Sequence, residues 1–199
     1  NLADQSVARI GPESRLTIVK GFGGEYRTLR VDGTASFGIA SGGSQPFDAR
    51  LGDVSVTASS GGFTVRDYAE EDFRLVRVDS GEAVVTVGGQ SVTLKAGEAL
   101  TIDRAGKTAT PDAAKVAEEL SWTASRLVLN NHPLKDVVQA LWRWYGMDVA
   151  VVDSTKLETP ISIDVELGST QGAISAIETA AALKFEWVDG KMTFQPVTK

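Results

Sequence analysis

The sequence predicts an all-β N-terminal domain, of sandwich, roll or solenoid type, followed by an α+β C-terminal domain with the element order βαββαββ. Three observations carry this. Apolar residues alternate at period two from residue 15 to about residue 105, between closely spaced glycine turns. That alternation stops in a stretch rich in Ala, Thr, Lys and Glu around Pro111. Beyond residue 125, period-two runs alternate with two runs at helical spacing. The boundaries that follow are an N-terminal tail over 1–14, a β domain over 15–106, a linker with a short helix over 107–124, and the α+β domain over 125–199.

In the β domain the alternating pairs are Leu29 and Val31, Phe37 and Ile39, Val54 and Val56, Val76 and Val78, Val85 and Val87, and Val92 and Leu94. Asp-Gly, Gly-Gly, Ser-Gly and Ala-Gly steps between them supply turns where positive φ is cheap. In the linker a helix is expected from about Asp112 to Leu120. The α+β domain begins with a strand from Arg126 to Leu129. Pro133 then suits a helix start, with His132 or Asn131 as its cap. Leu134, Val137, Val138, Leu141 and Tyr145 form one helical face that ends at Gly146. A strand over 148–152 follows, then one alternating through Ile161, Ile163 and Val165. Ser169 caps a second helix carrying Ile174, Ile177 and Ala181, and a hairpin turns at Asp189-Gly190.

Composition excludes several functions. Twenty basic against 26 acidic residues give a net charge of −6, which disfavours a surface that tracks nucleic-acid phosphates. No cysteine is present, so disulfides and thiolate metal sites are absent. No apolar run approaches the roughly 18 residues of a membrane span. An enzyme needs convergent nucleophiles, acids or metal ligands, and the one histidine, His132, sits where a helix cap is expected. The acidic group Asp67, Glu70, Glu71 and Asp72 lacks the spacing of a calcium loop and reads as a solvated turn. Gly21 to Gly24 do not open a helix with a following Lys-Ser or Lys-Thr, so they read as a strand turn and not a phosphate cradle. The expectation is a binding module with no catalytic residues, no cofactor and no metal.

The stretches LVLNNHPLKDVVQAL, YGMDVAV, ISIDVELGSTQGAISAI and LKFEWVDGKMTF, in that order over about residues 125–195, resemble the STN domain, the short N-terminal module of secretins and TonB-dependent receptors. EYRTLRVDGTASFGIASGGSQPFDAR, GGFTVRDY and VRVDSGEAVVTVGGQSVTLKAGEALTI resemble the periplasmic β module of FecR-type anti-sigma regulators. Gly33-Thr34 and Gly61-Gly62 stand where that family has Gly-Glu and Gly-Thr. Such regulators carry the β module ahead of an STN-like one, the order seen here.

The resemblance implies a soluble, periplasmic piece of a longer inner-membrane regulator, whose membrane helix and cytoplasmic anti-sigma segment lie outside this sequence. The implied partner is the STN signalling domain of an outer-membrane TonB-dependent transducer, in cell-surface signalling of the kind that regulates iron transport. The sigma factor would be reached only through the cytoplasmic part. Two other functions are weighed beside it: an STN-type assembly module of a secretion system, and a sugar-binding or hydrolytic β domain with an accessory module. Small open sheets associate by strand addition, so the candidate edges are the strand with Leu127 and Leu129 and the strand with Ile161 and Ile163. On a helical wheel Trp142 and Trp144 lie about 80° to either side of Leu134, with Arg143 pointing away. The family has a small residue at the position of Trp142 and a polar one at that of Trp144. Trp142 is therefore placed in the core, and Trp144 with Arg143 is taken as the exposed anchor.

Overall fold

The computed structural model describes residues 1–197. Its strands and helices fall into two compact units, Asn1–Val116 and Ala117–Lys199. The first holds β1 (Val7–Ile10), β2 (Arg15–Ile18), β3 (Thr28–Ile39), β4 (Phe47–Leu51), β5 (Val54–Ala58), β6 (Gly61–Asp67), β7 (Phe73–Val87), β8 (Gln90–Lys95), β9 (Ala99–Asp103) and β10 (Thr108–Ala109). Its architecture is decided by the two longest strands. β3 pairs with β4 through residues 28–30 and with β6 through residues 33–39. β7 pairs with β6 through residues 75–81 and with β5 through residues 84–86, and β4 pairs with β5. The ring β3–β4–β5–β7–β6 therefore closes on itself.

Each long strand has a device at the corner where it changes partners. In β7 the register slips by one residue beside Gly62, so that Phe63 faces Val78 while Gly62 faces Ser80. Asp79 is the extra residue, a bulge that bends the strand and reverses the phase of its side chains. Val76 and Val78 are buried before it, and Ala83, Val85 and Val87 after it. The Asp79 carboxylate accepts hydrogen bonds from Thr64 Oγ1 at 2.7 Å and Arg77 Nε at 2.8 Å, which hold the bulge in place. In β3 the corner is Gly33, at φ 98°.

The barrel is narrow enough for side chains to fill it. Phe37, Phe47 and Phe63 meet at ring-centroid distances of 5.2 to 6.1 Å, packed among Leu29, Val31, Leu51, Val56 and Val65.

The expected N-terminal tail is not a tail. β1 pairs with the second half of β3, β2 with the first half, and residues 11–14 cross the outer face of β3 between them. Gly11 N donates to Thr34 O, and Ser14 Oγ accepts from Thr34 N at 2.9 Å. A Cβ on Gly33 would stand 2.9 Å from the Ser14 Cα, so only glycine admits the crossing. Tyr68 clasps the segment by donating to Pro12 O at 2.8 Å. Nearer the terminus, buried Arg27 donates to Asp4 through Nε at 2.8 Å and to Ala40 O through Nη2 at 2.8 Å, and it also reaches Gln45 O and Ser6. The alternation signal missed β1 because it is short and mostly exposed.

The turn after β6 is tied down by charge. Asp67 accepts from Arg104 at 2.7 Å and lies beside Arg74, while Glu71 pairs with Arg66. The expected linker is partly structured: β10 pairs with β9, and α1 (Ala113–Glu119) starts where Asp112 Oδ1 accepts from Ala114 N and Lys115 N.

The second unit holds β11 (Arg126–Pro133), α2 (Leu134–Tyr145), β12 (Val149–Val151), β13 (Pro160–Glu166), α3 (Thr170–Ala181), β14 (Leu183–Val188) and β15 (Lys191–Pro196). β11 and β13 form a two-stranded antiparallel sheet, and β12–β15–β14 form a three-stranded one with β12 parallel to β15. Its core joins Leu127, Leu134, Val137, Leu141, Ile161, Ile163, Ile174, Ile177 and Phe194. Ser169 caps α3 by accepting from Gly172 N, and Gly146 ends α2 at φ 67°. α2 has no side-chain cap. Its first amides, on Leu134 and Lys135, donate to the carbonyls of Thr159 and Leu157, and His132 lies in β11 instead. The span expected to end at 199 is described to 197.

These observations correct the predicted fold class. Among the described residues the chain is mostly β, with 49% in strands, three helices and a closed five-stranded barrel. It is not an all-β sandwich, roll or solenoid joined to a separate α+β domain. The alternation was compatible with several β architectures, and the corners at Gly33 and Asp79 select closure.

Candidate functional site

The second unit offers a partner chiefly its sheet edges. In the β11–β13 sheet, Leu167 N donates to Ser125 O. Hydrogen-bonded pairs recur every second residue in an antiparallel ladder, so Leu127 and Leu129 bond to Val165 and Ile163, and the even-numbered residues turn their backbone groups outward on β13 and, before the register shift ahead of His132, on β11.

On β11 the outward amides of Val128 and Asn130 are occupied. Val128 N donates to Ser121 Oγ at 3.3 Å, from a short 3₁₀ helix over Ser121–Ala124. Asn130 N and Nδ2 both donate to the Glu118 carboxylate at 3.1 Å, and His132 Nε2 lies 2.5 Å from the same group. Side chains of the segment 118–121 thus cover the edge, a common defence against unwanted strand pairing.

On β13 nothing equivalent exists. The outward amides of Ser162, Asp164 and Glu166 have no hydrogen-bond partner among the described residues. The Glu166 carbonyl is taken, by Ser169 N. Side chains on the solvent face of this strand are Ser162, Asp164 and Glu166. Asp164 pairs with Arg126 at 2.6 Å, and the Ser162 hydroxyl accepts from Asn131 N.

The third edge, β14, is half guarded. Phe185 N donates to Glu178 of α3 at 2.9 Å, and beyond it Trp187 stands 68% exposed. Sequence reasoning did not single out Trp187. It shares the core-facing side of β14 with Phe185 and differs only in lying next to the Asp189-Gly190 turn, past the packed layer.

The candidate residues sort as follows. The side chains of Leu127, Ile161 and Ile163 are buried and that of Leu129 is half-buried, so these strands present backbone and not those side chains. Trp144 and Trp142 exchange the places expected of them. Trp144 is half-buried, joins the core and packs against Trp122 with ring centroids 6.4 Å apart. Trp142 is 54% exposed, and Arg143 is half-buried. The fully buried residues Leu134, Val137 and Leu141 centre the stripe about 27° to the Trp144 side, which leaves Trp142 on the rim. No group of three or more His, Asp or Glu side chains is placed to hold a metal ion among the described residues.

No protein-family model matches the chain, and no curated protein matches it. Two crystal structures of a candidate anti-sigma factor from Parabacteroides distasonis are similar in fold, each with a TM-score of 0.72. One is 18% identical, with 99% of this chain and 93% of that chain covered. The other is 19% identical, with 99% and 92% covered.

Proposed function

We propose that this chain is a non-enzymatic regulatory module of anti-sigma type. More finely, it is the periplasmic sensor segment of a FecR-like regulator that receives the STN signalling domain of a TonB-dependent transducer by strand addition at β13. The fold shared over nearly the whole chain with a candidate anti-sigma factor supports the regulatory role. The observation that carries the binding step is the contrast between edges of one small sheet, with β11 covered by Glu118 and Ser121 and β13 bare. A bare edge supplies main-chain donors and acceptors for affinity, and alternate side chains for selectivity.

The test is binding of the chain to purified STN domains from transducers encoded beside it, with and without Ser162→Pro. Proline removes the outward amide of an edge strand while remaining compatible with its backbone. Loss of one backbone hydrogen bond and the steric block should weaken binding by about tenfold or more. Failure of every such domain to bind the unmodified chain would overturn the reading. A large ring-like assembly by light scattering would favour a secretion-system module instead.

A further inference from the structure

We infer that the segment added at β13 is amphipathic, with Lys or Arg on its solvent face and apolar residues on the other. This rests on the edge reading above and names the chemistry of what the edge takes. The outward backbone groups lie at Ser162, Asp164 and Glu166, and the same three residues form the solvent face of the strand. Residues of an added strand that hydrogen-bond to these positions also stand directly opposite their side chains, with Cβ atoms about 5 Å away.

The chemistry of that row is one-sided. Glu166 stands opposite Arg126, whose guanidinium is turned to Asp164, and no ion pair or hydrogen bond to the Glu166 carboxylate is found among the described residues. Asp164 is held by Arg126 from the β11 side only, so its far side faces the open edge. Ser162 is neutral. Strand β13 itself, Pro160 to Glu166, contains no basic residue. Like charges placed directly opposite are destabilising and opposite charges are favourable, so the row selects cationic side chains at alternate positions. Pairing of two copies of this chain centred on Asp164 would set two carboxylates face to face, which argues against a second copy as occupant.

On the other face Ile161, Ile163 and Val165 are already buried against the helices. An added strand would extend that apolar surface at its margin, near half-buried Leu167, and so gains from apolar residues at its intervening positions.

The experiment uses the full chain and two labelled synthetic peptides of seven residues, one alternating Val with Lys and one alternating Val with Glu. The lysine peptide should bind and the glutamate peptide should not. Glu166→Lys alters an exposed residue, but it sets a cation opposite Arg126 across the sheet, so circular dichroism must show the fold kept. Glu166→Lys should weaken the lysine peptide about tenfold and let the glutamate peptide bind. Glu166→Gln, which removes the charge without that clash, should weaken the lysine peptide in the same direction. Ser162→Pro should abolish binding of either peptide. Equal binding of both peptides, indifference to Glu166→Lys, or retained binding by Ser162→Pro would each overturn the inference. If STN domains bind but Glu166→Lys leaves that binding unchanged, the charge rule fails while the function stands. Binding of the lysine peptide with no STN domain bound leaves the rule standing and removes the assigned partner.

Discussion

The barrel and the two small sheets of residues 117–199 solve the same problem in opposite ways. A β-sheet leaves unpaired backbone groups at its margins. In the barrel the ring of β3, β4, β5, β7 and β6 is closed, and the N-terminal strands lie against what remains of β3, so that unpaired margins fall to the outlying β1, β2, β8 and β10. In the second unit no ring forms. There the margins are handled one side chain at a time, by Ser121, Glu118 and Glu178, and β13 is left bare. Closure satisfies the backbone groups of the ring strands within the fold, whereas an open sheet leaves some of its backbone groups unpaired. Under the proposed function this is a division of labour, in which the barrel would supply rigidity and the small sheets recognition.

That division can be broken by removing what each side depends on. The largest effect belongs to the barrel core: Phe63→Ala should cost about 4 kcal/mol, because its ring packs on Phe37 and Phe47 and leaves a cavity that the barrel wall resists filling. Urea denaturation followed by far-ultraviolet circular dichroism measures this, and a loss under 1 kcal/mol would mean that the aromatic cluster is not the organising core.

Next is the clasp on the N-terminal segment. Asp4→Ala should cost about 3 kcal/mol, since it strands a guanidinium that is 4% exposed, although Ala40 O and Gln45 O still accept from it. The same pair makes a prediction for acid. Burial pushes the Asp4 carboxyl up, but hydrogen bonds from Arg27 and Ser6 and the charge of Arg27 outweigh that and hold it below the ordinary 3.8. The unfolded chain therefore takes up this proton first as pH falls. Stability from the clasp is intact above about pH 3.8 and fades as pH drops through the lower folded value. Amide exchange of residues 4–10 should accelerate in that window, and Asp4→Asn should remove the dependence.

The guarded edge and the tryptophans of the second unit supply two further checks. Glu118→Ala should cost about 2 kcal/mol, because the carboxylate accepts from two Asn130 donors and faces His132. Exchange should rise at Asn130 and stay unchanged at Ser162, which is already bare; equal protection of both amides in the unmodified chain would contradict the guarded and open assignments. Among the tryptophans, Trp144→Ala should cost about 3 kcal/mol and Trp142→Ala under about 1 kcal/mol, measured by thermal unfolding. The reverse order would restore the anchor role to Trp144.

Much of this was visible in the residues themselves. The helix over 134–145, the Ser169 cap and the Asp189-Gly190 turn are local features, set by spacing and by side chains acting within a few positions. Closure was not local. The shift of buried residues in β7 from Val76 and Val78 to Val85 and Val87 is written in the chain, yet it reads as two strands until the bulge at Asp79 is seen to join them. Gly33 resembled any turn glycine, and its need comes from Ser14, nineteen positions earlier, crossing above it. The tryptophan pair was misjudged because Val138 and Tyr145 balanced the wheel, while actual burial rests on Val137, Leu134 and Leu141. Edge exposure is equally non-local, since the guard on β11 is supplied by residues before that strand and β13 simply receives none.

The position of β7 in the barrel also governs how the fold can be reached during synthesis. β7 pairs with β5, β6, β8 and β9, and without it the ring cannot close. A nascent chain that has emerged only as far as residue 72 carries four of the five ring strands but leaves β5 and β6 as two facing, unjoined margins with Phe37, Phe47 and Phe63 between them. Those phenylalanines stay wet until one fifteen-residue strand arrives and seals both margins together. The ribosome must therefore deliver nearly the whole barrel before any of it is safe from sticking to its neighbours, and chains stopped short of β7 are the ones a cell has most reason to escort or destroy.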